Sequence, residues 1–211
     1  TQGVSSAASD VYKRQAEEEL DEVLREAFDR LSWHYDLSGI VAIGHRVVHG
    51  GDLFDGPVLI DDQALSQMEA LITLAPLHQP QALRLVRAIT RLRPEIRQTA
   101  SFDTAFHRTQ AETVRRFALP RQLYQEGIKR YGFHGLSYRS IANQLLKNWP
   151  EQAPGKVVVA HLGSGASLCA MHNCVSRDTT MGFSTLDGVP MATRCGACLL
   201  YTSDAADDTP C

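Results

Sequence analysis

Residues 157–182 read VVVAHLGSGASLCAMHNCVSRDTTMG. Val157 to His161, Ser167 to His172 and Val175 to Asp178 are short runs, parted by Gly163-Ser-Gly165 and then by Asn173-Cys174. Runs of this length bounded by turn residues read as consecutive strands. The second turn is unusual, because Asn173-Cys174 stands where an Asn-Gly hairpin turn is expected. A residue with a Cβ is disfavoured at positive φ in such a turn. A single base change, GGT to TGT, converts a glycine codon into a cysteine codon; a substitution in a three- or four-residue loop is the equally allowed alternative.

Upstream of these strands the pattern alternates between helix and strand. Leu20, Val23, Leu24, Ala27, Phe28 and Leu31 recur at helical spacing behind an acidic first turn. Ile40 to Val48 is an apolar run broken by Gly44 and followed by Gly50-Gly51, which reads as a strand feeding a loop. Leu65 to Leu74 and Pro80 to Leu92 read as helices, the second with proline at its start. Ala100 to Phe102 ends a further strand, and Ser137 is placed to cap a helix running to about Lys147. Pro150 to Gly155 (PEQAPG) is a turn-rich break and the candidate domain boundary. The chain is thus α/β, with no internal repeat.

The two ends share an origin outside protein selection. Ser5 to Gln15 (SSAASDVYKRQ) is encoded by a DNA word whose reverse complement, read from its second base, gives CLLYTSDAAD and then Asp or Glu, which is Cys198 to Asp208. That word resembles a transposon-end adaptor used in sequencing libraries. Residues 1–15 and 198–211 are therefore set aside as adaptor scars, expected to be disordered. The remaining segment, about 16–197, is expected to be truncated at both ends, with 16–150 a partial N-terminal substrate-side domain and 151–197 the start of a C-terminal nucleotide-binding domain.

Composition narrows the function classes. The two ends carry two basic and four acidic residues, so the totals of 21 and 24 fall to 19 and 20. A near-neutral balance offers no footprint for nucleic acid or anionic membrane. Three cysteines remain, Cys169, Cys174 and Cys195, an odd and irregular set that favours a reducing compartment over a disulfide framework. No apolar run reaches bilayer-spanning length and no signal peptide is visible, which makes a cytoplasmic location the expectation.

The strongly functional side chains sit in an ordered series: Gly44-His-Arg-Val-Val-His-Gly-Gly51, Ala75-Pro-Leu-His78, Ser101-Phe-Asp-Thr-Ala-Phe-His107, Tyr131-Gly-Phe-His-Gly135, His161-Leu-Gly-Ser-Gly-Ala-Ser167, Asp178-Thr-Thr-Met-Gly182 and Met191-Ala-Thr-Arg194. Arginine, aspartate, histidines and glycine turns are the parts needed to hold a carboxylate beside a phosphate chain. From about Ile40 to Gly196 the series resembles the acetate kinase family. The resemblance implies the two-lobed fold of actin, Hsp70 and sugar kinases, built on ribonuclease-H-like domains. It further implies a reversible ATP-dependent phosphorylation of acetate to acetyl phosphate with Mg2+. A propionate or butyrate kinase, and a non-catalytic actin-like nucleotide-binding module, are the alternatives.

Each site has its own chemistry. Arg46, where a strand meets a Gly-rich loop, can offer paired donors to a carboxylate, and a strand-end salt bridge is the alternative. The resemblance assigns it the substrate carboxylate, with Val48 and Leu77 lining the methyl pocket. His45 and His49 are four apart in a strand, where such residues need not converge on an ion, so packing or hydrogen bonding is expected. Asp103 follows a strand and is expected to emerge at the sheet's edge; Thr104 makes a capped turn the alternative. The resemblance makes Asp103 the active-site acid and gives His134, displayed between Gly132 and Gly135, the transferring phosphoryl group. His161, Leu162, Gly163, Ser164 and Gly165 resemble the nucleotide phosphate loop, with serine where most members carry asparagine; the backbone contacts survive that change. Asp178 to Gly182 resembles a second phosphate-side loop, and Arg194 the arginine that neutralises transition-state charge. Metal ligands, the adenine pocket and the first strand are expected in the missing ends, so the fragment itself is expected to be inactive and the full-length protein an enzyme, as a homodimer.

Overall fold

The computed structural model describes residues 18–197, so the expectations for residues 1–15 and 198–211 lie outside the described residues. The described residues form two compact units, one of 18–47 with 57–101, the other of 48–56 with 102–197.

In the first unit, helix α1 spans residues 18–32. Strands β1 (Ala42–Val47), β2 (Val58–Leu59) and β3 (Arg97–Phe102) form a sheet in the order β1-β3-β2. β2 runs antiparallel to β3, with Val58 opposite Ala100. Helix α2 (Asp62–Ala70) begins three residues before the expected start, because the Asp61 carboxylate accepts the Ala64 N–H at 2.7 Å and caps it. It ends before Leu74; Ile72–Leu74 is a separate 3-10 turn. Helix α3 (Gln79–Leu92) carries Pro80 in its first turn and buries Leu83, Val86 and Ile89 at helical spacing. In β1, His45 and Val47 are buried while Arg46 between them is exposed, the period-two alternation of a strand with one covered face.

The second unit holds short helices α4 (Glu112–Arg115) and α5 (Arg121–Gln125), the longer α6 (Gly135–Asn148), and strands β4 (Lys156–Leu162), β5 (Ala166–His172) and β6 (Val175–Thr179). The three strands form the antiparallel meander expected from residues 157–182. Asn173 and Cys174 both have φ 57°, the signature of a two-residue type I′ turn, with His172 opposite Val175. Tyr138 and Ala142 of α6 pack with Phe106, Cys169 and Met171, and Val157 and Val159 of β4 close the cluster. The Pro150–Gly155 turn, read above as a domain boundary, lies inside this second unit, and the cluster draws residues from both sides of it.

Ser137 does not cap α6. The helix starts at Gly135, and His134 occupies the capping position in the left-handed region at φ 59° without a side-chain cap.

Candidate functional site

The His161–Gly165 turn is the focus of the second unit. β4 delivers His161 on its inner face, opposite Ser167 of β5, and the chain then reverses through the exposed Gly163 and Ser164. A Cβ built on Gly165 would lie 3.1 Å from both His134 Nε2 and Arg194 Nη2. A side chain here would press on both groups, and one imidazole nitrogen and one guanidinium nitrogen approach the same backbone position. Arg194 is held by two carbonyls, donating from Nη1 to Thr185 O at 2.8 Å and from Nη2 to Ser164 O at 3.0 Å. The latter contact is to the backbone, so it does not depend on the Ser164 side chain.

His134 is fixed from several directions. Its ring stacks on His161 with centroids 4.0 Å apart and planes 21° from parallel. Nδ1 lies 2.8 Å from Ser167 Oγ, which also meets the Tyr138 hydroxyl. His161 Nδ1 lies 3.0 Å from Ser137 Oγ, so the residue expected to cap α6 supports the stacked partner instead. The backbone is clamped too: Gly135 donates its N–H to Asp103 O at 2.9 Å, and a Cβ on Gly135 would fall 2.1 Å from that oxygen. This contact forces glycine after His134 and ties the end of β3 to the start of α6.

Asp103 departs from its expectation. It is 1 % exposed and buried, not displayed at an open sheet edge, because the chain after β3 turns under the start of α6. Its charge is felt by His107, which is wholly buried and donates from Nε2 to Phe133 O at 2.9 Å, with Nδ1 2.8 Å from Ser176 Oγ. Burial outweighs the nearby carboxylate and the Phe133 carbonyl and pulls the His107 pKa down to about 4. Thr104 Oγ1 accepts the Gly50 N–H at 2.9 Å, so it anchors the Gly50-Gly51 loop.

That loop carries a second anchor absent from the sequence reading. Asp52 is paired with Arg108, with Arg115 at 2.6 Å and with Lys129 at 2.7 Å. Partial burial opposes ionisation, yet the hydrogen bonds and charges of Lys129 and Arg115 hold its pKa down at about 2. No local pattern announces Asp52, whose three partners lie 56 to 77 residues away. Ser167 and Tyr138 were also missed, being a lone serine in a strand and one aromatic on a helix.

The other expected residues take these places. Arg46 is exposed at the end of β1 and Leu77 is 82 % exposed, both in the first unit, while Val48 is half-buried where the second begins. His45 Nε2 lies 2.6 Å from Gln98 Oε1, and His49 is wholly buried with its ring edge-on to Tyr131 and Phe133. Both thus have packing and hydrogen-bonding roles. In the 178–182 run, Thr180 exchanges hydrogen bonds with Leu168 and the Gly182 carbonyl receives the Tyr131 and Gly132 N–H groups, which makes the run a brace beneath the His134 segment. Among the described residues no three His, Cys, Asp or Glu side chains converge as a metal-binding group, and no helix is long and apolar enough to cross a membrane.

This mixed α/β fold, with His134 and Arg194 against a glycine turn at a strand end, is shared with solved propionate and acetate kinases. The crystal structure of a propionate kinase from Francisella tularensis superposes with a TM-score of 0.81 at 41% identity, covering 88% of this chain and 49% of that one. The chain belongs to the acetokinase family, whose pattern matches residues 4–204. An acetate kinase of Rhodopseudomonas palustris is 54% identical over 156 residues, 74% of this chain and 39% of that protein. One from Methylocella silvestris is 46% identical over 195 residues, 90% of this chain and 48% of its own length. The chain thus spans between about two fifths and one half of these curated relatives.

Proposed function

We propose that the complete protein transfers the terminal phosphoryl group of ATP to acetate, acetate + ATP ⇌ acetyl phosphate + ADP. The observation that carries this reading is the pair of nitrogens, His134 Nε2 and Arg194 Nη2, each 3.1 Å from where a Cβ on Gly165 would stand. An acetate oxygen forms its bond to the terminal phosphorus while the bond from that phosphorus to the ADP oxygen breaks. Charge spread over the in-flight phosphoryl oxygens is what donors at this place can neutralise, and catalysis of this kind is chiefly positioning and electrostatics.

The roles divide by position. His161, Leu162, Gly163, Ser164 and Gly165 cradle the nucleotide phosphates, chiefly through backbone amides that the exposed glycine turn leaves approachable. Arg46 orients the acetate carboxylate and Val48 and Leu77 receive its methyl group, while Asp103, the active-site acid of this reading, is 1 % exposed and acts from behind the His134 segment rather than by touching substrate. Mg2+, arriving on the nucleotide, supplies further neutralisation of phosphate charge. The protein acts in the cytoplasm as a homodimer, with no nucleic-acid or membrane partner.

Propionate is the second substrate the reading admits, because a solved relative at 41% identity is a propionate kinase. One methylene is worth only about 1–3 kcal/mol in an apolar pocket, so the choice between the two acids rests on the space beside Val48 and Leu77. Steady-state formation of acyl phosphate by the complete protein, with acetate and propionate in parallel, tests both. Turnover that depends on ATP and acetate is expected; ATP binding without acid-dependent turnover would favour a non-catalytic nucleotide-binding module.

A further inference from the structure

The arrangement behind His134 fixes more than its place. Ser167 is fully buried on the inner face of β5, and its single hydroxyl lies 2.8 Å from His134 Nδ1 and 2.5 Å from the Tyr138 hydroxyl. Tyr138 is itself 0 % exposed. A serine hydroxyl has one proton to give, and Tyr138 has one that must find an acceptor in a site closed to water.

Three proton arrangements are possible along this line, and in one of them Ser167 accepts from both Nδ1–H and the phenol, so that its own buried proton can go to neither. In a second, with the proton again on Nδ1, His134 would donate to Ser167, and Ser167 would donate to Tyr138. The phenolic proton would then lose the Ser167 oxygen as its acceptor, at the cost that an unmade buried hydrogen bond carries. In the remaining arrangement Tyr138 donates to Ser167, Ser167 donates to Nδ1, and every proton on the line is used. Burial raises the Tyr138 pKa to about 12, so the phenol retains the proton that this arrangement needs.

We propose that Tyr138 and Ser167 form a directed hydrogen-bond relay that holds His134 as the Nε2–H tautomer, which makes Ser167 a positioning residue. The inference rests on the reading of His134 as a donor to the transferring phosphoryl group and states how that donor is secured. The Nε2 proton is presented on the side where Gly165 and Arg194 lie. The stacked His161 ring, braced by Ser137, sets the imidazole plane, and the relay sets which nitrogen is protonated.

The test reads the tautomer directly. In the 15N-labelled chain, long-range proton–nitrogen correlation spectra of the neutral imidazoles, assigned with His134→Ala, should show a pyridine-like Nδ1 and a pyrrole-like Nε2 for His134. Ser167→Ala and Tyr138→Phe should each move both nitrogens toward the average of the two tautomers. Tyr138→Phe keeps the ring, so it decides the matter if Ser167→Ala fails to fold. An Nδ1–H tautomer in the unmodified chain, or unmoved nitrogens in a folded variant, would overturn the relay. In the complete enzyme Ser167→Ala should lower kcat at least about tenfold with little change in the KM for acetate. An unchanged kcat beside a lost tautomer preference would overturn the positioning role. Absence of acetate-dependent turnover in the unmodified enzyme is a different failure, one that defeats the kinase reading and leaves the tautomer result standing.

Discussion

Cys174 occupies a backbone position that suits glycine. Its φ of 57° follows an Asn173 at the same angle, and only this pair links β5 to β6. A Cβ in the left-handed region costs roughly 1–2 kcal/mol. Part of that is recovered, because Cys174 packs against the core cluster and its Sγ lies 3.4 Å from Ala153 O. Cys174→Gly should therefore stabilise the chain by about 0.5–1 kcal/mol, seen as a higher urea midpoint at unchanged slope. A lower midpoint would mean that the sulfur contacts outweigh the strain. The turn was legible in the sequence because asparagine before a reversal tolerates positive φ, whatever follows it. The burial of Asp103 was not legible, since it depends on a carbonyl meeting the N–H of Gly135, 32 residues away.

At the scale of elements, the loops that frame the site are held by buried neutral groups. His49 sits in the loop after β1 and His107 in the 3-10 turn Ala105–Thr109 after β3, and burial depresses each pKa to about 4. The unfolded chain takes up protons on both imidazoles near pH 6.5, while the folded chain refuses them until about pH 4. Their contribution is complete above pH 6.5 and is lost as pH falls toward 4, by up to roughly 3 kcal/mol for each histidine. Asp52 adds a lower step, because its carboxylate, held at about 2, gives up its contribution only below the ordinary value of 3.8. Urea midpoints measured from pH 7 down to pH 5 should therefore fall steadily, and a flat profile would contradict neutral burial of these rings. Strands β4 to β6 were readable because each is short, apolar and flanked by turn residues. The start of α6 was not, because Gly135 under Asp103 sets it and no capping side chain does. The earlier start of α2 did have a local signal in Asp61, whose side chain caps the helix.

For the whole molecule, the two arginines of the proposed reaction belong to different compact units, and the proposal gives them different work. Arg46 is exposed on a strand end, the place for a guanidinium that meets a carboxylate in the ground state and keeps it through the transition state. Arg194 is locked by Thr185 and Ser164 carbonyls against the Gly165 position, beside His134 Nε2. A donor already fixed in this way has no adjustment to make when charge develops, so its value lies in the transition state. In the complete protein, Arg46→Ala should mainly raise the KM for acetate, because it removes binding common to both states. Arg194→Ala should mainly lower kcat, by roughly 10²-fold or more. Acetyl phosphate formation measured with acetate and ATP varied separately distinguishes the two. A near-normal kcat in Arg194→Ala would remove the arginine from the charge-bearing role, and a kcat loss without a KM change in Arg46→Ala would exchange the two assignments.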